Sequence, residues 1–272
     1  MNEFIQALLN YSFMQHALLA CILASIGCGI IGTYVVARRI GFMAGGIAHT
    51  VLAGMGIAYF LNGSPLLGAL LAALISGILI AWISLRWKQN EDILIAAFWS
   101  VGMAIGIIFI SRTPGYTVDL MSYLFGNILL VSHMDLYLML ALDIVLIIIV
   151  MTFYKQFLAT TFDEEFASVR GVNTEYFYIL LLTLVALTVV LLIQIVGLIL
   201  VLALLVLPAA SASQFVHSIK RMMLLSIALC LLSTISGLAL SYQPDLPAGA
   251  TIIIMTAIIY IFSAVIGKKI NA

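Results

Sequence analysis

Apolar stretches of about 20 residues, divided by short polar breaks, recur along nearly the whole chain. A run of that length matches the hydrocarbon thickness of a bilayer when coiled as a helix. Backbone groups in hydrocarbon must be paired within the segment, so the runs are expected to be helices. Strands of a transmembrane barrel are shorter and alternate in polarity, which these do not. The pattern places spans at 16–37, 42–61, 66–85, 93–111, 135–153, 176–194, 197–216, 222–241 and 249–266. It predicts an all-α polytopic membrane protein of about nine transmembrane helices, with eight to ten open because the join at 194–197 is the weakest. Residues 1–14 are mixed in polarity and suit a helix lying in the interface, with Phe4, Leu8 and Tyr11 near one face. Residues 120–126 suit a short re-entrant or surface helix, too short to span.

Composition narrows the class. The chain has 272 residues, 65% apolar and 8% charged, with a mean hydropathy of +1.26. A soluble domain carries roughly 25% charged residues. A single transmembrane domain over 1–272 is expected, with no soluble domain, no linker and no repeat of obvious period. Net charge is zero and no basic tract is present, so no nucleic-acid partner is expected. The start has Glu3 and no basic residue ahead of its apolar region, so no cleavable signal peptide is expected. Cys21, Cys28 and Cys230 all lie in apolar runs and read as core thiols. Cys21 and Cys28, seven residues apart on one helix, stand about 10 Å apart, too far for a disulfide.

Charge then orients the bundle. Basic residues gather in one set of alternate loops, at 38–39, 86–88, 155–170, 220–221 and 268–269, while the other set holds Arg112. By the positive-inside rule that first set is cytoplasmic, which puts the amino terminus outside and the carboxyl terminus inside.

Ionisable groups at membrane depth cost about 2.5–3.5 kcal/mol on insertion scales and are functional candidates by default. The deep polar residues are His49, Asp143 and Gln194; His16, His133, Asp135 and Asp245 sit near the outer surface. His49 follows Gly45-Gly46 and precedes Gly54 and Gly56. It is either a neutral packing histidine bonded to a neighbouring carbonyl or a metal ligand on a permeation path, since imidazole suits zinc, manganese and iron. No His or Cys lies three or four residues from it, which fits transient contact better than a structural zinc site. Asp143 is either a carboxylate partner across the bundle or a residue paired to serines or backbone. Pro208 in the seventh span is expected to kink it.

On the cytoplasmic side, 160–171 suits a short helix. Thr161-Phe162-Asp163-Glu164 has the form of a capping box, Arg170 suits the carboxyl end and Gly171 the cap beyond it. Phe162, Phe166 and Val169 form one apolar stripe with no soluble core to receive it. The stripe lies either on the membrane surface or in a groove of a cytoplasmic protein. No phosphate loop, nucleophile elbow or zinc-protease motif is present, so no enzymatic activity is expected of the chain. A channel or secondary carrier stays open on these grounds.

The chain resembles the permease subunits of ABC-type zinc, manganese and iron importers, the ABC-3 permease family. The resemblance runs through Phe13-Met14-Gln15-His16-Ala17-Leu18, Gly32-Thr33-Tyr34-Val35-Val36-Ala37-Arg38-Arg39, and Phe42-Met43 ahead of His49. It continues through residues 119–126, Asp163-Glu164-Glu165-Phe166-Ala167 with Arg170-Gly171, residues 194–210 and residues 245–250. It implies an ATP-driven importer of a divalent transition metal in a prokaryotic plasma or inner membrane. The partners implied are a second permease copy in a homodimer, cytoplasmic ATP-binding subunits that hydrolyse ATP, and an extracytoplasmic metal-binding protein. It implies no permanently bound cofactor. Residues 160–171, with Phe162, Glu164, Phe166, Val169, Arg170 and Gly171, become the helix that couples to the ATPase. His49 becomes the metal contact, with Asp143 the second candidate. The family pattern Gly-Asp-Ala-Leu-Ser-His has an aspartate four residues before the histidine, where this chain has Gly45. That departure supports the alternative of an exporter or membrane interaction subunit on the same scaffold without a metal pathway.

Overall fold

A computed structural model of the chain describes residues 2–87, 91–113, 126, 128–197, 201–242, 244 and 246–270, without the side chains of 2, 3, 91, 94, 194–196, 269 and 270. These residues form helices α1 (Asn2–Asn10), α2 (Ser12–Ala37), α3 (Gly41–Phe60), α4 (Pro65–Arg86), α5 (Glu91–Ser111), α6 (His133–Thr152), α7 (Tyr154–Phe162), α8 (Glu164–Val169), α9 (Thr174–Val196), α10 (Val201–Ser213), α11 (Ile219–Tyr242) and α12 (Ala248–Ile270). A 3₁₀ turn, Ile128–Leu130, precedes α6.

Eight of these helices, α2 to α6, α9, α11 and α12, are long and apolar enough to cross a membrane. Within the span expected at 197–216, the described residues form helix α10, Val201–Ser213, and residues 198–200 lie outside the description. The amino-terminal interfacial segment is shorter than expected. It ends at Asn10, and the first long helix begins at Ser12 rather than 16. Tyr11 breaks the two, and Tyr11 and Phe13 stack with ring centroids 5.6 Å apart. The short helix expected at 120–126 falls mostly on residues outside the description, as do Asp245 and the side chain of Gln194.

The chain divides into two compact units. One comprises Met1–Val36, Leu120–Leu146 and Leu191–Ala272; the other comprises Ala37–Asp119 and Ile147–Val190. In the first, α10 packs against α11 and α12, with Ala209, Ala212 and Met222 buried together. Pro208 lies inside α10 and is buried. The three cysteines are unpaired and buried, as their apolar settings led one to expect.

The second unit is built round α3, which packs along both α4 and α5. The approach is backbone to backbone. Gly54 of α3 and Gly68 of α4 face each other so closely that a Cβ on either would meet the other's carbonyl. On the opposite flank, a Cβ at Gly102 of α5 would sit 2.7 Å from the Thr50 Cα. Small residues at such crossings maximise van der Waals contact where no hydrophobic effect operates between helices in lipid. An apolar cleft of about 810 Å³ lies against α3, α4 and α5, lined by residues such as Ile57, Leu71, Phe98 and Val101.

Gly54→Val forces α3 and α4 apart, and overpacking of this kind costs about 1–3 kcal/mol. The thermal unfolding midpoint of the detergent-purified protein is expected to fall for this variant and to stay in place for Leu71→Val, whose side chain is exposed.

Candidate functional site

His49 stands nine residues into α3, on a stretch from Met43 to Leu52 that is buried throughout. Its imidazole is 6% exposed. The ring lies nearly flat on Trp99 of α5, with centroids 3.9 Å apart and planes 15° from parallel. Nδ1 is buried and has no hydrogen-bond partner among the described residues. The packing alternative involves a bond to a neighbouring carbonyl, and among the described residues Nδ1 makes none. An orphaned buried nitrogen is costly and calls for an explanation. Gly45, one helical turn before His49, is buried and supplies no donor atom. Among the described residues no group of three His, Cys, Asp or Glu could hold a metal ion. The arrangement therefore offers one imidazole, a flat aromatic wall and small neighbours. It can touch a passing cation and cannot cage one.

Asp143 belongs to the other unit, on α6. The residue is 2% exposed, and among the described residues both carboxylate oxygens lack a hydrogen-bond partner. No pairing to a serine or to backbone is present among those residues. Its surroundings were not foreseen: the Cys28 thiol of α2 lies within its electrostatic reach, with the free Cys230 thiol of α11 as that thiol's neighbour. Three separated apolar runs converge there, and nothing in the spacing of the residues signals it.

The cytoplasmic segment differs from expectation in a specific way. Residues 160–171 do not form one helix. Thr161 belongs to α7 and donates to the Phe157 carbonyl at 2.6 Å. Asp163 takes extended backbone, ends α7 and caps α8, accepting from the Phe166 amide at 2.8 Å. An aspartate is a strong N-cap in its own right, and here it displaces the threonine from that role. At the far end Gly171 has φ +81°. Its amide reaches the Ser168 carbonyl at 2.9 Å, and the Val172 amide reaches Ala167 at 3.0 Å. This is the double closure that glycine favours. Phe162, Phe166 and Val169 are 69%, 53% and 88% exposed. Arg170 lies over the Phe166 ring, 5.2 Å from its centroid.

The buried side of this segment is anchored from within. Phe157 of α7 packs edge-on to Phe177 of α9 at 5.5 Å. Glu164 pairs with Arg38, which follows α2. Arg38 is only 8% exposed against 55% for Glu164, and its guanidinium sits 4.9 Å from the Tyr178 ring centroid. Burial lowers the Arg38 pKa from its ordinary value, and Tyr178 counters that shift. The Tyr178 hydroxyl donates to the Met43 Sδ at 3.0 Å and lies 3.1 Å from the Ser84 hydroxyl. One arginine thus joins α8, α9 and, through Tyr178, the start of α3 and the end of α4. In the sequence Arg38 carried topological information alone; its burial could not be read there.

Comparisons with known proteins agree over almost the entire chain. Residues 10–267 match the ABC 3 transport family. An uncharacterized membrane protein of Synechocystis sp. is 43% identical over 94% of this chain and 91% of its own length. The manganese import system permease protein ScaB of Streptococcus gordonii is 34% identical over 98% of this chain and 96% of its own. Among solved structures, PsaBC from Streptococcus pneumoniae in complex with Fab aligns with a TM-score of 0.88 at 32% identity, covering 96% of this chain and 94% of that one.

Arg38→Ala and Glu164→Gln are expected to be non-additive in thermal unfolding. A double-mutant cycle should give a coupling of about 0.2–1 kcal/mol, the range for a pair with one exposed partner; additive effects would mean the two side chains do not interact.

Proposed function

The chain belongs to the ABC 3 transport family, and from its membership we infer that it is the membrane-spanning permease subunit of an ATP-driven importer of divalent metal ions. Permease subunits of this family are non-catalytic; ATP is hydrolysed by a separate ABC ATPase. The chain is a multi-pass membrane protein, and eight apolar helices fit a plasma or inner membrane location. A second permease copy, ATPase subunits and an external metal-binding protein complete the assembly in this reading, with the two permeases identical. The manganese import of the Streptococcus gordonii relative and the probable metal transport of a Chlamydia pneumoniae relative at 39% identity support a metal cargo. Zinc, manganese and iron all suit imidazole and oxygen donors.

The basic loops face the cytoplasm in this reading, with the amino terminus outside and the carboxyl terminus inside. Metal delivered from outside descends to His49. The observation that carries this assignment is the buried, unpartnered Nδ1 beside Trp99. The stacked indole fixes the plane of the ring, so the imidazole meets the ion without first losing rotational freedom. Asp143 is the further metal contact of this reading and an oxygen donor, supported by two carboxylate oxygens that have no hydrogen-bond partner among the described residues. Because Gly45 provides no carboxylate, the ion is held by few protein atoms and leaves readily. The exposed stripe of Phe162, Phe166 and Val169 docks on the ATPase, and α8 moves with it. Glu164 and Arg170, with Gly171 closing the helix, hold the stripe in position. Arg38 then conveys that displacement to α9 and, through Tyr178, to α3.

Uptake of radiolabelled manganese or zinc, in cells lacking their own importer, tests the His49 role. Changes to outer-shell partners alone cost about 10–100-fold in metal affinity, so His49→Ala should reduce uptake by at least that factor at equal expression. Undiminished uptake would remove His49 from the pathway. Independently, Phe166→Asp should abolish co-purification of the ATPase, or leave ATP hydrolysis running without transport. Intact complex with normal coupling would show that the stripe is not the docking face.

A further inference from the structure

At the end of α2 remote from Arg38, two histidines meet that the transport pathway above does not use. His16, in the second turn of α2, and His133, the first residue of α6, have ring centroids 4.0 Å apart with planes at 70°. His133 is exposed and His16 half-buried. They come from helices more than a hundred residues apart in sequence, so the juxtaposition is made by the fold and not by local spacing. The backbone around them is fixed on both sides. Ser132 donates to the Asp135 carboxylate through its amide at 3.0 Å and its hydroxyl at 2.7 Å, locking the start of α6. On the α2 side, Gln15 donates to the Leu9 carbonyl at 3.4 Å, and Met14 and Ala17 are buried.

We propose that His16 and His133 together form an accessory docking site for an imidazole-seeking divalent transition metal, such as zinc, at the outer mouth of the permease. Two imidazoles on one tetrahedral ion have their ligating nitrogens about 3.3 Å apart, from metal–nitrogen bonds of about 2.0–2.1 Å. The present contact, with ring centroids 4.0 Å apart, puts both imidazoles within the reach of one ion, and binding the ion requires one ring to turn out of its edge-to-face position. Water fills the remaining positions, because Asp135 is committed to Ser132. Two protein ligands and an open face make a site that accepts an ion and gives it up by exchange. Such a site suits a receiving station between an external carrier and a deeper pathway. The placement at the outer surface rests on the topology and import reading given above; the pairing of the two rings does not.

The test separates the two. The full-length permease, purified through a tag without histidine and placed in nanodiscs, is modified with diethyl pyrocarbonate with and without zinc chloride. Labelling of each histidine is read by mass spectrometry. Zinc should protect His16 and His133 together and leave His217 unprotected. Ligands joined on one scaffold gain about 10²–10⁴-fold over either alone, so His133→Gln should raise the zinc concentration that protects His16 by about 100-fold, and His16→Gln should do the same for His133. Protection of each histidine that survives loss of the other, or no protection by zinc at all, would overturn the site and leave the ring contact as packing. Metal uptake by the His133→Gln variant, measured alongside in the assembled transporter, should show a raised KM with an unchanged maximal rate. Wild-type permease that binds zinc at this pair but imports no metal would count against the import reading while upholding the site.

Discussion

The closeness of α3 to its neighbours is the constraint on which the described site depends. Helices in lipid gain nothing from excluding water from one another, so a buried helix must be held by contact alone. Gly54 against Gly68 and Gly102 against Thr50 bring α4 and α5 to backbone distance on either flank of α3. Only at that distance can Trp99 of α5 lie flat on His49 of α3. A wider spacing would let the imidazole swing, and its buried nitrogen would find a carbonyl. The glycines therefore do more than permit packing: they keep one polar atom unsatisfied in a place where proteins seldom leave one.

A charge buried at the α2–α3 connection performs a comparable role by electrostatics. Arg38 cannot enter hydrocarbon cheaply and is not left in water. It is taken up by Glu164 and the face of Tyr178, whose hydroxyl continues to Met43 and Ser84. The same short connection from α2 to α3 thus carries the basic pair and the guanidinium that grips α8. The backbone accommodates it at some cost, for Arg39 adopts a left-handed conformation with φ +58°.

Much of the architecture was legible because hydrocarbon is an unforgiving solvent. Runs such as 66–85 and 135–153 could only be helices, and they appear as Pro65–Arg86 and His133–Thr152. Deviations arose where that solvent no longer dictates. At the cytoplasmic surface, Asp163 and Thr161 competed for one cap, and local hydrogen bonding decided for the aspartate. His49 and Asp143 stood out as polar residues in apolar runs. Trp99, Tyr178 and the two thiols near Asp143 did not, since an aromatic or cysteine in such a run is unremarkable until the packing of distant helices is known.

Helix α8 has six residues, far below the length at which a helix persists by itself in water. It survives because both ends are closed, by the Asp163 side chain and by the left-handed Gly171, and because Ala167 is buried beneath it. A helix maintained this way has little internal compliance. It cannot stretch or unwind by a fraction of a turn without losing a cap, and with it most of its structure. Force applied to its exposed face is consequently delivered as displacement of the whole element. Six residues closed at both termini therefore act as one rigid unit, a helical turn and a half long.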